Sequence, residues 1–473
     1  MLHKYASGLF ACAVISSSHA AGPAEHNPSN PSNPHIEAIV AGISAQRIEA
    51  RIRTLAGFHT RHTLSDTASE SRGIGAARRW IKAELEQCNR EADGRLQVSF
   101  DAYTQPASRR IPQAVEIVNV VAILPGTQAE SRGRYYVVSG HYDSRATDVM
   151  DAKSHAPGAN DDASGVAAMM EMACVMARQR FDATLVFMAV AGEEQGLLGA
   201  THWAEQAEKQ GLNVAGMITN DIIGSSTADD GKVDNRSVRL FANGLPALIA
   251  AQNSAAADGF PQRARRELKA IAQSGGEFDT PTHQLGRYLK EIGERHVPGF
   301  TVQLIPRPDR FLRGGDHLPF LERGFAAVRF TEPAEDYRHQ HQDIRSEKGV
   351  QYGDLPEFVD FAYVAQVTRV NAAGLASLAW APAAPQEVGI EVSELENDTT
   401  LRWKANTEPD LAGYRILWRT PGAALWSNSL DVGKTTRHTL KGISKDNFVF
   451  GVAALDRDGN PSPASFPRPW RPN

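Results

Sequence analysis

Histidine and carboxylates crowd three short stretches of the chain: His141 and Asp143 in SGHYDS, Asp161 and Asp162 in PGANDDASG, and Glu193 and Glu194 in AGEEQGLLGA. Imidazole and carboxylate together suit zinc, and a carboxylate shared between ions lets two cations sit close enough to act on one substrate. Asp161 is the candidate bridge. Of two adjacent glutamates only one easily faces a metal, which leaves its neighbour free to take a proton from water. Glu194 therefore reads as a ligand and Glu193 as the general base. The HxD spacing lets Asp143, directly or through a neighbour, hold a ring nitrogen of His141 and fix the tautomer that binds metal. Asp162, or Ser164 after it, reads as a helix cap.

Chemistry of this kind needs rigid elements that end at the reactive groups. Tyr135–Ser139 is a short apolar strand leading into His141, and Thr184–Val190 (TLVFMAV) is a continuous apolar run of the kind a buried parallel strand requires, delivering Glu193 and Glu194. Met217–Asn220 repeats the device and delivers Asp221. Parallel α/β sheets place ligands just beyond strand ends, so the fold class expected is a mixed, mainly parallel sheet flanked by helices. Further strands are expected at Val98–Tyr103, Val115–Leu124 and Phe325–Thr331. Helical periodicity runs through Ile36–Ala56, Gly73–Leu85, Val166–Met176 and Phe358–Val367. Between Gly224 and Phe300 the chain reads less clearly and is expected to supply pocket walls.

At 473 residues the chain exceeds one typical domain, and 50 basic against 55 acidic residues is too balanced for a nucleic-acid surface. Peptides or small molecules fit better as partners. Residues 1–20 resemble a secretory leader cleaved after Ala20, followed at 21–35 by a Pro/Asn/Ser-rich spacer without an apolar period, which is expected to be disordered. The protein is thus expected to be exported, periplasmic or extracellular. No later apolar run is long enough to span a bilayer. With 3 cysteines, of which Cys88 and Cys174 lie in helical patterns, disulfides are not expected to define the fold.

Taken in order, SGHYDS, PGANDDASG, AGEEQGLLGA, NDIIG and HQHQD resemble the M28 family of zinc peptidases, which includes secreted di-zinc aminopeptidases. The likeness spans about Ile36 to Trp380. It implies two zinc ions, with His141 and Asp221 as terminal ligands on different ions, Asp161 as the bridge, Glu194 as a ligand and Glu193 as the base. It also implies a late histidine followed four residues on by aspartate, which selects His339 before Asp343, with His341 the competitor. Gly314-Gly315-Asp316-His317 resembles a family stretch near the pocket. The activity implied is removal of amino-terminal residues. A glutaminyl cyclase on the same scaffold would use one zinc. A carboxypeptidase would need a basic anchor such as Arg313, Arg329 or Arg338. A silent binding ectodomain would have lost ligands that are all present here.

Composition changes after the Pro/Ala linker at 381–385. EPDLAGYRILWR and VFGVAALDRDGNPS alternate like strands of an immunoglobulin-like all-β sandwich and resemble a fibronectin type III domain. The expected organisation is a leader at 1–20, a spacer at 21–35, a peptidase-like domain at 36–380, and a linker with the sandwich at 381–473.

Overall fold

The computed structural model describes residues 33–244 and 262–471. The leader, residues 21–32 of the spacer and the stretch 245–261 lie outside them. Although disorder is expected through residue 35, Asn33 caps a helix that begins at Pro34 by accepting a hydrogen bond from the His35 amide.

Eight strands form a single mixed sheet: β1 (Gln97–Gln105), β2 (Val115–Leu124), β3 (Arg134–His141), β4 (Thr184–Val190), β5 (Asn213–Asn220), β6 (Ser237–Phe241), β7 (Thr301–Ile305) and β8 (Ala327–Thr331). Their order is β1-β2-β4-β3-β5-β8-β6-β7. The central four, β4, β3, β5 and β8, run parallel. On either flank β2 is antiparallel to β4, and β6 to β8. All seven residues of β4 are buried, as a strand covered on both faces demands, whereas β1 at the edge is half exposed. Neighbouring side chains divide between the layers: Val120 and Val138 join the core beneath helices Ala45–Ala56, Ala163–Met176, Pro281–His296 and Phe361–Trp380, while Val121 and Val137 meet helix Leu198–Lys209 and Phe320 on the other side.

Two expectations need correction. The helical period of Ile36–Ala56 is carried by two helices, Pro34–Gly42 and Ala45–Ala56, because Ser44 leaves helical backbone angles and its hydroxyl accepts from the Arg47 amide. Cys88 and Cys174 are disulfide-bonded. Their helical settings concealed this, since helices Gly73–Arg90 and Ala163–Met176 pack so that two residues 86 positions apart face each other. The bond ties an outer helix to the helix that begins at the candidate site.

A short hairpin of β9 (Arg345–Glu347) and β10 (Val350–Tyr352) follows the large sheet. After helix Phe361–Trp380 come β11 (Gly389–Glu391), β12 (Thr399–Arg402), β13 (Leu411–Arg419), β14 (Asn428–Gly433), β15 (Arg437–Leu440), β16 (Val449–Asp456) and β17 (Arg468–Trp470). They make a four-stranded sheet, β15-β12-β11-β17, and a three-stranded one, β14-β13-β16. Leu401 from the first and Tyr414, Ile416, Phe450 and Val452 from the second share one apolar core. This region is anchored to the larger one through buried charge: Asp279 accepts from Arg287 at 3.0 Å and from Arg419 at 2.7 Å. Arg134 pairs with Glu408 at 3.4 Å. Removing one member of such a group would strand a buried charge, so the attachment is structural and not a loose tether.

Candidate metal centre

The carboxyl ends of β3, β4 and β5 converge on one buried cluster. β3 ends at His141, whose ring Nδ1 lies 3.1 Å from the Asp143 carbonyl oxygen and 3.6 Å from its carboxylate. With Nδ1 occupied, Nε2 is turned to the cluster, 3.1 Å from Asp161 Oδ1 and 3.9 Å from Asp221 Oδ1. Asp143 thus holds the imidazole chiefly through its main chain. Its buried carboxylate accepts from the amides of Glu193 and Glu194, each at 3.2 Å, and from Thr63 Oγ1 at 3.2 Å. One residue orients the histidine and clamps the loop bearing both glutamates.

Asp161 and Asp162 divide their work. Asp162 caps helix Ala163–Met176, accepting from the Gly165 amide at 2.9 Å, and also accepts from the His141 amide at 2.9 Å. Asp161 faces the cluster. Its loop is held by Asp354, whose carboxylate accepts from the amides of Asn160 at 2.8 Å and Asp161 at 2.7 Å, and by Glu332, which takes both bonds from the Asn160 amide group. Asp161 Oδ1 lies toward His141, and its Oδ2 is 2.9 Å from His341 Nε2. The same His341 nitrogen is 2.9 Å from Glu194 Oε1. The ligand-type atoms therefore fall into two sets, His141/Asp161/Asp221 and Asp161/Glu194/His341, joined by Asp161.

This geometry corrects two expectations. His339 is not in the cluster: its ring stacks on Phe358 at 3.7 Å between centroids, with Nδ1 3.7 Å from Asp336. His341 occupies the place instead, with a backbone φ of +54°. Two histidines two residues apart satisfy the same loose spacing, and packing on Phe358 decides between them. In addition, His141 and Asp221 belong to one set rather than to separate ions, because β3 and β5 are parallel neighbours and end side by side.

Charge in the cluster is concentrated and desolvated. Although burial opposes ionisation, His341 and His141 hold the Asp161 carboxyl well below the usual range. Arg329, again against burial, does the same for Asp221. Burial, reinforced by Glu194, Asp221 and Asp316 against the pull of His141, pushes Glu193 well above it. Burial works to lower His341, but Glu194 and Asp161 outweigh it and push the ring up to about 10. Imidazole nitrogens and carboxylate oxygens meeting this closely, out of water, form a donor set that suits zinc. Three carboxylates and two neutral imidazoles would nearly balance two divalent ions.

Two expected outcomes test the arrangement. Zinc needs a neutral imidazole, whereas the metal-free site favours a protonated His341 up to about pH 10. Zinc uptake at pH 7 should therefore expel a proton, and affinity should rise with pH toward that limit. Calorimetric titration in buffers of different ionisation enthalpy would read this, and buffer-independent heats would contradict it. His341→Ala should weaken one zinc by more than roughly 100-fold, beyond the effect typical of outer partners, whereas His339→Ala should leave both in place. Zinc-buffered titrations of the two variants would separate the histidines.

Sequence reasoning missed several supporting groups. Arg329, read only as a carboxylate anchor, engages Asp221 and Asp309 through its two Nη atoms; a charge inside the apolar run AAVRFT was the available sign that a buried partner existed. Asp316 is buried with neither carboxylate oxygen hydrogen-bonded among the described residues. Burial, with Asp221 and Asp143 acting against His141, pushes it to about 7. Asp354 carries no local signal, since its role depends on a loop nearly 200 residues away.

Buried histidine and carboxylate sets at the carboxyl ends of parallel strands, linked by a shared aspartate, define a metal-dependent hydrolase type of α/β protein. Residues 119–350 match the profile of peptidase family M28. The chain is 48% identical over 434 residues to a probable zinc metalloprotease of Leptosphaeria maculans, covering 92% of this chain and 97% of that one. It is 46% identical over 439 residues to a probable zinc metalloprotease of Pyrenophora teres f. teres, covering 93% and 88%. Among solved structures, an aminopeptidase from Aneurinibacillus sp. strain AM-1 has the same fold, with a TM-score of 0.50 and 13% identity over 73% of this chain and 96% of that one. The chain belongs to peptidase family M28.

Proposed function

We propose that this chain is a zinc-dependent exopeptidase that holds two zinc ions and releases the amino-terminal residue of peptides. The observation that carries the reading is Asp161, whose two carboxylate oxygens face different donor sets. His141 and Asp221 would hold one ion, Glu194 and His341 the other, with Asp161 between them. When bound, zinc supplies Lewis acidity, polarising a carbonyl and acidifying water. Glu193 takes the proton of the attacking water and returns it to the leaving amine. Asp143 keeps Glu193 and Glu194 in register by holding both amides.

Two features favour a free amino terminus. Asp316, buried beside the cluster with neither carboxylate oxygen hydrogen-bonded among the described residues, is an acceptor open to an ammonium group. Of the three arginines considered as anchors for a substrate carboxylate, Arg329 is buried between two aspartates and Arg338 is paired with Asp336, which leaves the exposed Arg313. Export is supported by the leader-like residues 1–20 and by the Cys88–Cys174 disulfide, which suits an oxidising compartment. The paired C-terminal sheets fit a fibronectin type III-like accessory module.

A panel of amino-acyl chromogenic substrates, run on chelated and zinc-restored protein beside amino-blocked peptides and glutaminyl peptides, tests this. Zinc-restored release from free amino termini alone is expected. Cleavage of blocked peptides from the carboxyl end, cyclisation of glutaminyl peptides, or no turnover with zinc bound would each overturn it.

A further inference from the structure

Arg329 stands in the middle of β8 between Val328 and Phe330 and is 1% exposed. An arginine in such a strand must answer to buried anions. Its Nη2 is 3.0 Å from Asp221 Oδ2 and also approaches the Asp221 carbonyl oxygen, at 3.4 Å. Its Nη1 is 2.6 Å from Asp309 Oδ2 and donates to the Gly314 carbonyl. Asp309, itself buried, accepts from the Arg310 amide at 2.6 Å through its other oxygen. The result is a buried chain, Asp221–Arg329–Asp309, with every link ionic.

The register explains the reach. Arg329 pairs with Thr219 on the parallel neighbour β5, two residues before Asp221. Two strand residues advance about 6.6 Å, a span an arginine side chain covers when extended along the strands. The Gly314-Gly315 turn closes over the join, and at Gly315 a Cβ would sit 3.0 Å from Arg329 Nη1 and 3.3 Å from Asp221 Oδ2. A side chain there would press on both partners of the join. Because Arg329 takes Oδ2, the oxygen of Asp221 left for the cluster is Oδ1, which lies 3.9 Å from His141 Nε2.

Resting on the two-zinc reading above, we infer that Arg329 is a positioning residue for Asp221, and that retention of the ion on the His141/Asp221 side depends on the Arg329–Asp309 pair. The guanidinium fork binds two carboxylates at fixed angles while a lysine ammonium is a single point that cannot span both. Arg329→Lys keeps the charge and loses the geometry. Asp309→Asn keeps the shape around Arg329 and loses the charge that anchors it. Among the described residues the hydrogen bonds and ion pairs of Arg329 go to Asp221, Asp309 and Gly314 and none reaches Asp161, Glu194 or His341, so that side should change far less.

The experiment is zinc content of the full-length protein across a series of zinc buffers, with far-ultraviolet circular dichroism as the folding check. Wild type is expected to hold two zincs. In Arg329→Lys one of them should need roughly 10–100-fold more free zinc, the range seen when an outer partner of a metal ligand is lost. The other should fill at the wild-type midpoint. Asp309→Asn should shift the same zinc in the same direction by less, and it decides the matter if Arg329→Lys does not fold. Wild-type midpoints for both zincs in Asp309→Asn and in folded Arg329→Lys would overturn the inference, as would equal loss of both ions from a natively folded variant. A wild type that takes up no zinc would instead overturn the function proposed above, a result separate from either.

Discussion

Glu193→Gln is expected to lower kcat by roughly 100- to 10,000-fold, the contribution typical of a positioned general base, while both zincs stay bound. Glutamine preserves the size of the side chain and the Asp143 bonds to the main-chain amides of residues 193 and 194, so the loop should not move. What is lost is a carboxyl group whose proton affinity is already raised well above the ordinary glutamate range by burial and by Glu194, Asp221 and Asp316, against His141. A raised proton affinity suits a group that must accept a proton from water and hand it on. Steady-state kinetics paired with metal analysis give the answer. Activity within a few fold of wild type would remove Glu193 from the base role, whereas lost zinc would show it to be a ligand.

Asp161→Asn should have the largest effect on metal content, because it is the one residue present in both donor sets. An asparagine offers one carbonyl oxygen in place of two carboxylate oxygens, and its amide group would point donors at the nitrogen of either His141 or His341. Both zincs should weaken, by roughly 100-fold or more given that outer partners alone cost 10- to 100-fold, and turnover should fall with them. Loss of one ion with wild-type retention of the other would show that Asp161 serves a single site. The contrast with Arg329→Lys is diagnostic, since that change should disturb one ion only.

The supporting residues explain how so many buried charged groups are held together. Asp354 and Glu332 hold the Asp161 loop, Asp143 holds the glutamate loop, Asp162 ties the His141 amide to a helix start, and Arg329 holds Asp221. Each ties a strand end to a separate segment of chain. Burial and the neighbouring carboxylate Asp161 push Asp354 up to about 7, against the two amides and Arg61. The loop that presents Asp161 is thus held by a group whose charge depends on its surroundings.

Much of this centre is legible in the linear chain because its donors sit at the ends of apolar runs. β4 is a nearly continuous apolar segment that delivers Glu193 and Glu194, Met217–Asn220 is a shorter run that delivers Asp221, and His141 and Asp161 follow from strand and cap signals. Of the Glu-Glu pair, the structure brings Glu194 into a donor set with Asp161 and His341. Local pattern carries no further than the element that contains it. Whether His339 or His341 turns inward is decided by a ring stack on Phe358, and whether His141 falls in one donor set with Asp161 and Asp221 is decided by which strands are neighbours. The Cys88–Cys174 bond, the Asp354 clamp and the Arg329 clasp join residues 86, 193 and 108 positions apart. The chain by itself determined which chemical groups are present and which strand ends carry them, because those depend on residue type and on periodicities of two to four residues. Only the tertiary structure decided their partners, because contact between distant segments is settled by packing, which no short-range pattern encodes.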